Sequence, residues 1–295
     1  MEREDVSYVA ESGSQNGSKE AARLAAHRTV YARRITAAAG IPPGSAIEIA
    51  FGAIPRENFV GSPPWKIIFP ESSTRTESSD PVDLYQDVLV GLGSASGLNN
   101  GQPSLHALCL HTLAPQPGER AVHVGAGGGY YTCVLAMLVG VAGRVDAYEI
   151  EPDLAARAQA SLAAFSQVAV HCRTGAQGPL PACEILYVSA AAAEPLAVWL
   201  DALVPGGRLL FPLAPETGSG AMLLVTRHAG DDYAARFLCS VEFVPCIGAQ
   251  EEHAAQALAS GFSRGHWRQV RSLHRNNTPD ETAWCAGRGW WLEMG

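Results

Sequence analysis

Apolar runs alternate with amphipathic runs in the middle of the chain, from residue 104 onward. Short apolar runs bounded by turn residues predict β-strands, and longer runs with helical spacing predict helices. The predicted strands cover residues 121–124, 144–149, 168–172, 185–188 and 208–212, and the predicted helices cover residues 104–113, 131–139, 152–165 and 194–203. This alternation predicts a parallel sheet that is covered by helices on both faces.

The alternation stops after Pro212. Residues 222–226 and 237–244 then follow each other as predicted strands, with no helical run between them. Consecutive strands of this kind favour antiparallel pairing through short connections. The predicted fold class is therefore α/β and Rossmann-like, with a mostly parallel sheet, antiparallel C-terminal strands and an N-terminal helical segment.

The first hundred residues lack the alternation of strands and helices. Residues 1–20 are rich in Ser, Gly and Glu and predict a mobile tail. Residues 21–40 have apolar positions at helical spacing, residues 44–53 predict a second short helix, and the polar residues 71–81 predict a loop. We divide the chain into four parts: the tail 1–20, an N-terminal helical segment with a substrate-side loop 21–103, a core 104–250, and a C-terminal extension 251–295 that packs on the core.

The composition fits one α/β domain with terminal additions, since 47% of the 295 residues are hydrophobic. The net charge of −8 argues against a broad nucleic-acid surface, which needs clustered Lys and Arg. One local cluster of basic residues stands near the C-terminus. We interpret it as a solvated face, with a local anion or substrate contact as the alternative; its members are Arg264, His266, Arg268, Arg271, His274 and Arg275.

The cysteines and histidines give no sign of a metal centre or of a disulfide scaffold. None of the seven cysteines forms a CxxC pair, and the nine histidines lack a metal-ligand spacing such as HExxH. The N-terminus has no charged-then-apolar signal pattern, and no apolar run is long enough to span a bilayer. These features predict a cytoplasmic protein that binds neither a membrane nor a metal.

A glycine-rich loop follows the first predicted strand of the core, at Gly125-Ala126-Gly127-Gly128-Gly129. Glycines let a backbone turn tightly against a ligand, and the following helix directs free N–H groups at it. Glu149 ends the next strand, where a carboxylate can accept both hydroxyls of a ribose; the alternative is a solvated strand end. A dinucleotide fingerprint would need a third glycine at Tyr130. The observed spacing therefore favours S-adenosylmethionine over NAD.

The surrounding motifs resemble those of the protein-L-isoaspartate O-methyltransferase family. The resemblance runs from about Ile54 to Gln250. The matching segments are Ile54-Pro55-Arg56-Glu57-Asn58-Phe59-Val60, Tyr85-Gln86-Asp87, Gly101-Gln102-Pro103-Ser104-Leu105-His106-Ala107, the glycine loop, Leu203-Val204-Pro205-Gly206-Gly207-Arg208-Leu209-Leu210-Phe211-Pro212 and Phe243-Val244-Pro245. The PGG strand is common among methyltransferases, whereas its combination with the IPRENFV segment is much more specific.

The resemblance implies roles for particular residues, and it also shows two departures. It implies that the cofactor is held by Gly125, Ala126, Gly127, Glu149 and Ile150, with Cys172 near the adenine. It further implies that Asn100, Gly101 and His106 line the methionine end and that Asp87 helps to shape the acceptor site. Gly101 stands where the family has a serine that is regarded as catalytic. Cys172 stands where the family has an acid that contacts adenine.

Methyl transfer from a sulfonium needs proximity, alignment and exclusion of water more than it needs a base. A carboxylate acceptor is already ionised at neutral pH, so the loss of the serine need not abolish catalysis. Asn99 and Asn100 carry amides that can orient such an acceptor, although Asn-Asn-Gly is also a common turn sequence. His106 can accept a proton or simply fill the cofactor pocket. The candidate catalytic residues are therefore Asp87, Asn99, Asn100 and His106.

Two further sets of residues have structural interpretations. We expect Trp284, Trp290 and Trp291 to cover an apolar face of the sheet; the alternative is that they line an acceptor pocket. We expect Cys133 and Cys172 to be core residues.

The leading functional hypothesis is an S-adenosylmethionine-dependent methyltransferase that O-methylates a side-chain carboxylate of a protein or peptide. One alternative is a tailoring methyltransferase for a modified peptide or small molecule. A second alternative is a cofactor-binding protein without catalysis. The oligomeric state is left open, and nucleic-acid methylation is disfavoured because the chain is acidic and has no N-P-P-Y-type motif.

Overall fold

A computed structural model describes residues 5–69, 72–93 and 97–295 of the chain. Its centre is a ten-stranded mixed sheet with the strand order β12-β13-β11-β10-β9-β8-β7-β4-β5-β6. The strands of this sheet are β4 Arg120–Val124, β5 Arg144–Glu149, β6 Val168–Cys172, β7 Cys183–Val188, β8 Leu203–Leu213, β9 Gly220–Arg227, β10 Tyr233–Val241, β11 Val270–Arg275, β12 Ala283–Gly287 and β13 Trp290–Met294.

Strands β4 to β8 form the parallel half of the sheet, with β4 at its centre. The apolar runs of these strands are buried because helices cover both faces of the sheet. The covering helices are α3 Pro103–Leu113, α4 Tyr130–Val139, α5 Pro152–Ser161 and α6 Ala197–Ala202. The predicted fold class is confirmed. The chain leaves β4 toward β5 on one side and returns to β7 on the other, which creates the switch point where such sheets bind ligands.

Some predicted boundaries of the core differ from those observed. Helix α5 ends at Ser161 rather than at residue 165, since Phe165 belongs to the turn that leads into β6. Helix α6 is limited to Ala197–Ala202, and β8 begins at Leu203, before the predicted start at residue 208. Strand β8 contains Gly206 at φ +82°, and its pairing with β7 shifts register near Cys183. A bulged strand start of this kind has no regular apolar pattern, so periodicity does not reveal it.

Strands β9 to β13 form the antiparallel half of the sheet, which is larger than predicted. The two predicted strands correspond to β9 and β10. Strand β10 ends at Val241, earlier than predicted, because Val244 leaves the ladder and its carbonyl accepts from the N–H of Ala191 at 2.8 Å. Residues 251–295 add helix α7, Glu252–Arg264, and strands β11, β12 and β13, none of which the sequence pattern predicted.

The N-terminal part contains α1 Asp5–Ala38 and α2 Ala46–Ala53, which pack against α3 and α4. Tyr31 and Phe51 are fully buried there. The predicted tail 1–20 overlaps α1, which begins at Asp5, before the predicted helix start at residue 21; residues 1–4 lie outside the described residues. The helix ends at Ala38, where Gly40 and the prolines after it stop helical bonding as predicted.

A small three-stranded sheet of order β2-β1-β3 lies between α2 and α3 in sequence. Its strands are β1 Lys66–Ile68, β2 Ser73–Arg75 and β3 Leu89–Val90. The predicted loop 71–81 therefore contains a short strand, which forms because its backbone pairs with β1. No helix in the part of the chain that the structure describes has the length and apolar character needed to cross a membrane.

Candidate functional site

The glycine loop lies at the carboxyl end of β4, at the switch point of the sheet. The N–H groups of Gly125 and Ala126 donate to the carbonyl of Tyr148 at 2.9 and 3.1 Å, which turns the chain sharply away from the strand. Gly125 has φ +77°, and Gly129 has φ +94° where α4 begins. Side chains are strained in this region of φ, so glycine is needed at both positions.

Gly128 lets the glycine loop contact the backbone of the IPRENFV segment, because glycine has no side chain. A Cβ at Gly128 would lie only 1.9 Å from the carbonyl oxygen of Phe59, so the two backbones are in direct contact. The ring of Tyr130, the next residue but one, packs against Phe59 at a centroid distance of 5.6 Å and is buried. The two motifs that resemble the family most closely are thus joined in space.

Glu149 ends β5 beside the loop, as predicted. Its carboxylate accepts from the backbone N–H of Gly127 at 2.6 Å and from that of Glu151 at 2.9 Å. Cys172 is its register partner on β6, and Ile150, which follows Glu149, is 38% exposed. An acid beside a glycine loop, followed by an exposed apolar side chain, fits an adenosine group, since the acid matches the ribose hydroxyls and the apolar side chain matches a base.

A cavity of about 720 Å³ opens beside the glycine loop. It brings together seven of the residues that the sequence singled out, which are Asn99, Asn100, Gly101, His106, Gly125, Ala126 and Gly127. Its wall also contains residues that the sequence did not single out for a site; these include Leu89, Leu92, Tyr131, Ser189, Ser219, Glu242 and the ring of Phe243. Asp87, Glu149, Ile150 and Cys172 are not in this wall. Glu149 reaches the cavity through its hydrogen bond with Gly127.

The Asn99-Asn100-Gly101 segment combines the two interpretations that the sequence left open. Asn99 makes the turn, because its side-chain oxygen accepts from the N–H of Gly101 at 2.8 Å and its amide donates to the carbonyl of Gly97 at 2.9 Å. Asn100 is buried in the cavity wall, and its side-chain NH₂ group finds no partner among the described residues. Within this segment, Asn100 is therefore the residue whose side-chain amide is buried with its NH₂ group wholly unpaired.

His106 is fixed in the cavity wall by two aromatic neighbours. Its ring stacks on Tyr131 at 3.6 Å, and its Nδ1 shares a hydrogen bond of 2.6 Å with the hydroxyl of Tyr187. Burial lowers the pKa of His106 well below its usual value, so the imidazole is neutral. A Cβ at Gly101 would lie 2.0 Å from Nε2 of His106, which means that the imidazole occupies the space that a side chain at position 101 needs.

Asp87 holds the start of α3 rather than the cavity surface. Its carboxylate accepts from the N–H and the hydroxyl of Ser104 at 2.8 and 2.6 Å and from the amide of Gln102 at 3.0 Å. A carboxylate is favourable at a helix N-terminus. Asp87 thus fastens the segment that carries Asn100 and His106, and a direct catalytic role for it stays a prediction.

Cys172 corrects one prediction, because its side chain is exposed and not part of the core, whereas Cys133 is buried as expected. Cys172 is the last residue of β6, which is an edge strand of the sheet. The next residue, Arg173, lies over the ring of Tyr148 at 4.6 Å. Cys172 lies beside Glu149 in the register of the sheet, and its contact with adenine stays a prediction.

The three C-terminal tryptophans are buried in the sheet and do not line the cavity. Trp284 packs against Phe237 and Phe262, while Trp290 and Trp291 lie on the central strand β13 of the extension. The structural interpretation of these residues is confirmed. They are buried because β12 and β13 continue the sheet and α7 covers one face.

The C-terminal basic residues make separate local contacts. Arg264 donates to the carbonyl of Trp284, Arg275 pairs with Asp201 at 2.8 Å, and His274 stacks on Trp291 at 4.1 Å. These contacts fit the solvated-face interpretation. No group of three or more His, Cys, Asp or Glu side chains able to hold a metal occurs within residues 5–69, 72–93 and 97–295.

Sequence reasoning missed the role of Arg56, whose side chain is 0% exposed. Its guanidinium donates to the carbonyls of Leu84, Gln86 and Val88 and to the side-chain oxygen of Asn100, at 2.7 to 3.0 Å. Arg56 therefore organises the loop that forms one wall of the cavity. The sequence did contain a signal, since Arg56 is part of the IPRENFV segment that resembles the family.

Comparison with known proteins now identifies the family. The family model for protein-L-isoaspartate(D-aspartate) O-methyltransferase matches residues 38–251, which is most of the chain. The chain belongs to this family. It is therefore an S-adenosylmethionine-dependent methyltransferase, and the family reaction is directed at carboxyl groups of proteins.

Individual relatives agree with this assignment. Protein-L-isoaspartate O-methyltransferase 2 of Marinobacter nauticus is 31% identical over 217 residues, which are 72% of this chain and 88% of the relative. Protein-L-isoaspartate O-methyltransferase 1 of Arabidopsis thaliana is 36% identical over 186 residues, which are 59% of this chain and 79% of the relative.

Two solved structures share the fold. One protein-L-isoaspartate O-methyltransferase matches with a TM-score of 0.64 at 20% identity, over 80% of this chain and 69% of its own. A Plasmodium falciparum protein described as a family member, solved in complex with S-adenosyl-L-homocysteine, matches with a TM-score of 0.59 at 20% identity, over 75% of this chain and 98% of its own.

Proposed function

We propose that this methyltransferase binds S-adenosylmethionine along Gly125, Ala126 and Gly127 and methylates a peptide carboxylate held against Asn100. The observation that carries the proposal is the single cavity that joins the glycine loop to the Asn99–Gly101 segment. A cavity of about 720 Å³ is large enough for the methionine end of the cofactor and an acceptor side chain together.

Glu149 orients the cofactor in this proposal. Its carboxylate accepts hydrogen bonds from two backbone N–H groups. Each ionised oxygen has two acceptor sites. The carboxylate could therefore accept from the ribose hydroxyls in addition to these N–H groups or in place of them. Ile150 covers one face of the adenine, and Cys172 lies at its edge. The backbone of Gly101 and the ring of His106 border the methionine end.

S-adenosylmethionine supplies an electrophilic methyl group on a sulfonium, which is an excellent leaving group. The chain has to place the acceptor oxygen in line with that methyl and to keep water away. The apolar side chains of Phe59, Leu89 and Leu92 line the cavity and serve this second purpose. A carboxylate needs no general base, which agrees with a neutral, packed His106.

A protein or peptide acceptor is supported by the open rim of the cavity. The rim includes Phe69, which is exposed, together with Ser219 and Glu242 from the antiparallel half of the sheet. These residues offer apolar and polar contacts to the neighbours of the methylated residue. The net charge of −8 and the seven free cysteines further support a cytoplasmic enzyme without a nucleic-acid substrate.

The test is transfer of labelled methyl groups to short peptides that contain isoaspartate or aspartate, with peptides free of acidic residues as a reference. We expect base-labile label on at least one acidic peptide, since methyl esters hydrolyse readily in base. Glu149→Gln should weaken cofactor binding roughly ten- to a hundredfold, because it replaces a charged acceptor by a neutral one.

The control for Glu149→Gln is Glu151→Gln, which keeps the backbone N–H that bonds to Glu149 and changes the same charge. Absence of base-labile label on every acidic peptide would refute the proposed acceptor.

A modified peptide is the second candidate acceptor. Gly101 has no side chain at the position where the family carries a serine, and the imidazole of His106 occupies that space instead, so the acceptor side of the cavity has a different lining. Methylation of an aspartate in a cyclic peptide, with no methylation of its linear counterpart, would favour this candidate over a general repair substrate.

A further inference from the structure

The guanidinium of Arg56 is a fully buried positive charge without a matching negative charge. It donates hydrogen bonds to three backbone carbonyls and to the side-chain oxygen of Asn100. No carboxylate pairs with it among the residues that the structure describes. Burying an unpaired charge is costly. A ligand that brings a negative charge to the adjoining cavity would offset part of this cost.

Arg56 also fixes the orientation of the Asn100 amide. The side-chain oxygen of Asn100 accepts from Nη2 of Arg56 at 3.0 Å and from the backbone N–H of Val90 at 3.2 Å. Because both neighbours are donors, only the oxygen can occupy this position. The NH₂ group is therefore directed away from Arg56, and it is buried with no partner among the described residues. A buried donor of this kind calls for an acceptor from a ligand.

The other two residues of the segment offer no buried NH₂ group that is wholly without a partner. Both polar atoms of the Asn99 side chain are bonded within the turn. Gly101 has no side chain, and its α-carbon lies against Nε2 of His106, since a Cβ there would be 2.0 Å from that nitrogen. Asn100 is the one member of the three whose side-chain NH₂ group is buried and makes no hydrogen bond with the described residues.

We propose that Asn100 donates from its side-chain NH₂ group to the acceptor carboxylate and that Arg56 is the positioning residue behind it. The proposal rests on the proposed function and adds a basis for selecting anions. The charge of Arg56 polarises the amide through its oxygen and attracts the ionised acceptor. Methylation removes the negative charge, so the ester product loses this attraction and is released. Asn100 thus takes over the hydrogen bond that a serine at position 101 would make.

The substitution Asn100→Asp tests this inference, because it keeps the size and shape of the side chain. One carboxylate oxygen retains the bonds to Arg56 and Val90, and the donor that faces the acceptor becomes a negatively charged oxygen. We expect the thermal midpoint to equal or exceed that of the natural protein, since Arg56 gains an anionic partner. A purely structural role for Asn100 predicts normal acceptor binding in this variant.

Acceptor binding is measured by calorimetry with S-adenosylhomocysteine present, so that it does not depend on transfer. The probes are hexapeptides with a central isoaspartate or aspartate, each with a twin in which the free carboxylate is a carboxamide. The natural protein should prefer a carboxylate over its carboxamide by about ten- to a hundredfold, the range of a hydrogen bond to a charged group. Asn100→Asp, saturated with S-adenosylhomocysteine, should abolish or reverse that preference.

Asn99→Asp is the matched control, because it places the same charge one residue away and keeps the oxygen that accepts from Gly101. It should reduce the preference less than Asn100→Asp does, since the donor of Asn100 remains. The inference is overturned if the natural protein shows no preference for a carboxylate, or if Asn100→Asp retains it. A preference without methyl transfer would refute the proposed function and leave this inference standing.

Discussion

At the scale of single residues, side chains of the same type differ in the hydrogen bonds that they make. Asn99 and Asn100 are identical and adjacent in sequence, yet the first closes a turn and the second keeps a free donor in the cavity wall. Histidines divide in a similar way. His106 packs beside Gly101, whereas His123 lies inside β4, where its ring nitrogens share hydrogen bonds with Thr132 at 2.8 Å and Ser189 at 3.0 Å.

The buried imidazole of His123 makes the stability of the fold depend on pH. Burial lowers the pKa of His123 to about 3, against 6.5 in the unfolded chain. Below pH 6.5 the unfolded state therefore binds a proton at His123 that the native state does not bind. The contribution of His123 to the free energy of unfolding is fully present above pH 6.5 and decreases as the pH falls toward 3. We expect His123 to account for a loss of about 2 kcal/mol between pH 6.5 and pH 5.

Urea unfolding at several pH values measures this effect. His123→Gln should reduce the dependence of the unfolding free energy on pH and leave the part that the buried His106 contributes, while His111→Gln, at an exposed position of α3, should not reduce it. An unchanged slope in His123→Gln would show that this imidazole is not the source.

At the scale of elements, the site depends on how closely separate segments approach. The glycine loop, the 3₁₀ turn Arg56–Asn58 and the start of α4 meet where the carbonyl of Phe59 contacts Gly128. Two hydrogen bonds hold the segment between β3 and α3. Arg56 donates to the side-chain oxygen of Asn100, and Asp87 accepts from the N–H of Ser104 at the start of α3. Motifs that are far apart in sequence are thus parts of one wall.

Gly128→Ala tests this close approach. Gly128 does not have a positive φ, so the added methyl acts through space alone, and it would lie 1.9 Å from the backbone oxygen of Phe59. One of the two segments must move, which we expect to cost about 1–3 kcal/mol of stability and to weaken binding of S-adenosylmethionine. The measurements are thermal unfolding and calorimetry.

Gly93→Ala is the control for the methyl group itself. No atom of the described residues lies within 4 Å of a Cβ at Gly93, so stability and cofactor affinity should not fall. Equal behaviour of the two variants would contradict a tight contact at Gly128.

At the scale of the whole molecule, the C-terminal extension is part of the same sheet and core as the cofactor-binding half. Strand β11 pairs with β10, and the ladder continues through β13 to β12. One cluster of buried side chains reaches from Val122 and Val124 of β4 to Trp284 and Leu292 of the extension. We therefore expect residues 251–295 and the core to unfold together.

Trp284→Ala probes this continuity. Trp284 is 2% exposed, packs against Phe237 and Phe262 at 5.3 and 5.1 Å, and donates from its indole N–H to the carbonyl of Gly265 at 2.8 Å. Its removal should cost about 3–5 kcal/mol. Urea unfolding should remain a single transition, with coincident curves from circular dichroism and tryptophan fluorescence.

Trp267→Ala, at a half-buried position beside the same Phe237, is the matched control and should cost less. A separate early transition in Trp284→Ala would contradict a common core, because it would mean that the extension unfolds by itself.

The local pattern of apolar and polar residues was sufficient to predict the strands and helices of the parallel core, because buried strands and covering helices differ in the period and length of their apolar runs. The predicted strand 144–149 coincides with β5, and helix 104–113 differs from α3 by one residue. The strands inside the predicted C-terminal extension were not predicted because they mix buried and half-exposed residues without clear alternation, as in Val270–Arg275. Its formation depends on pairing with β10, which is a tertiary event.

By itself, the sequence determined the fold class, the position of the glycine loop, the acid at the end of β5 and the identity of the cofactor. Each of these follows from residues that are close together in the chain. Only the tertiary structure decided which amide of Asn99-Asn100-Gly101 remains free and what Arg56 does. Those answers depend on hydrogen bonds between residues tens of positions apart, and local pattern carries no information about which donors and acceptors those contacts will use.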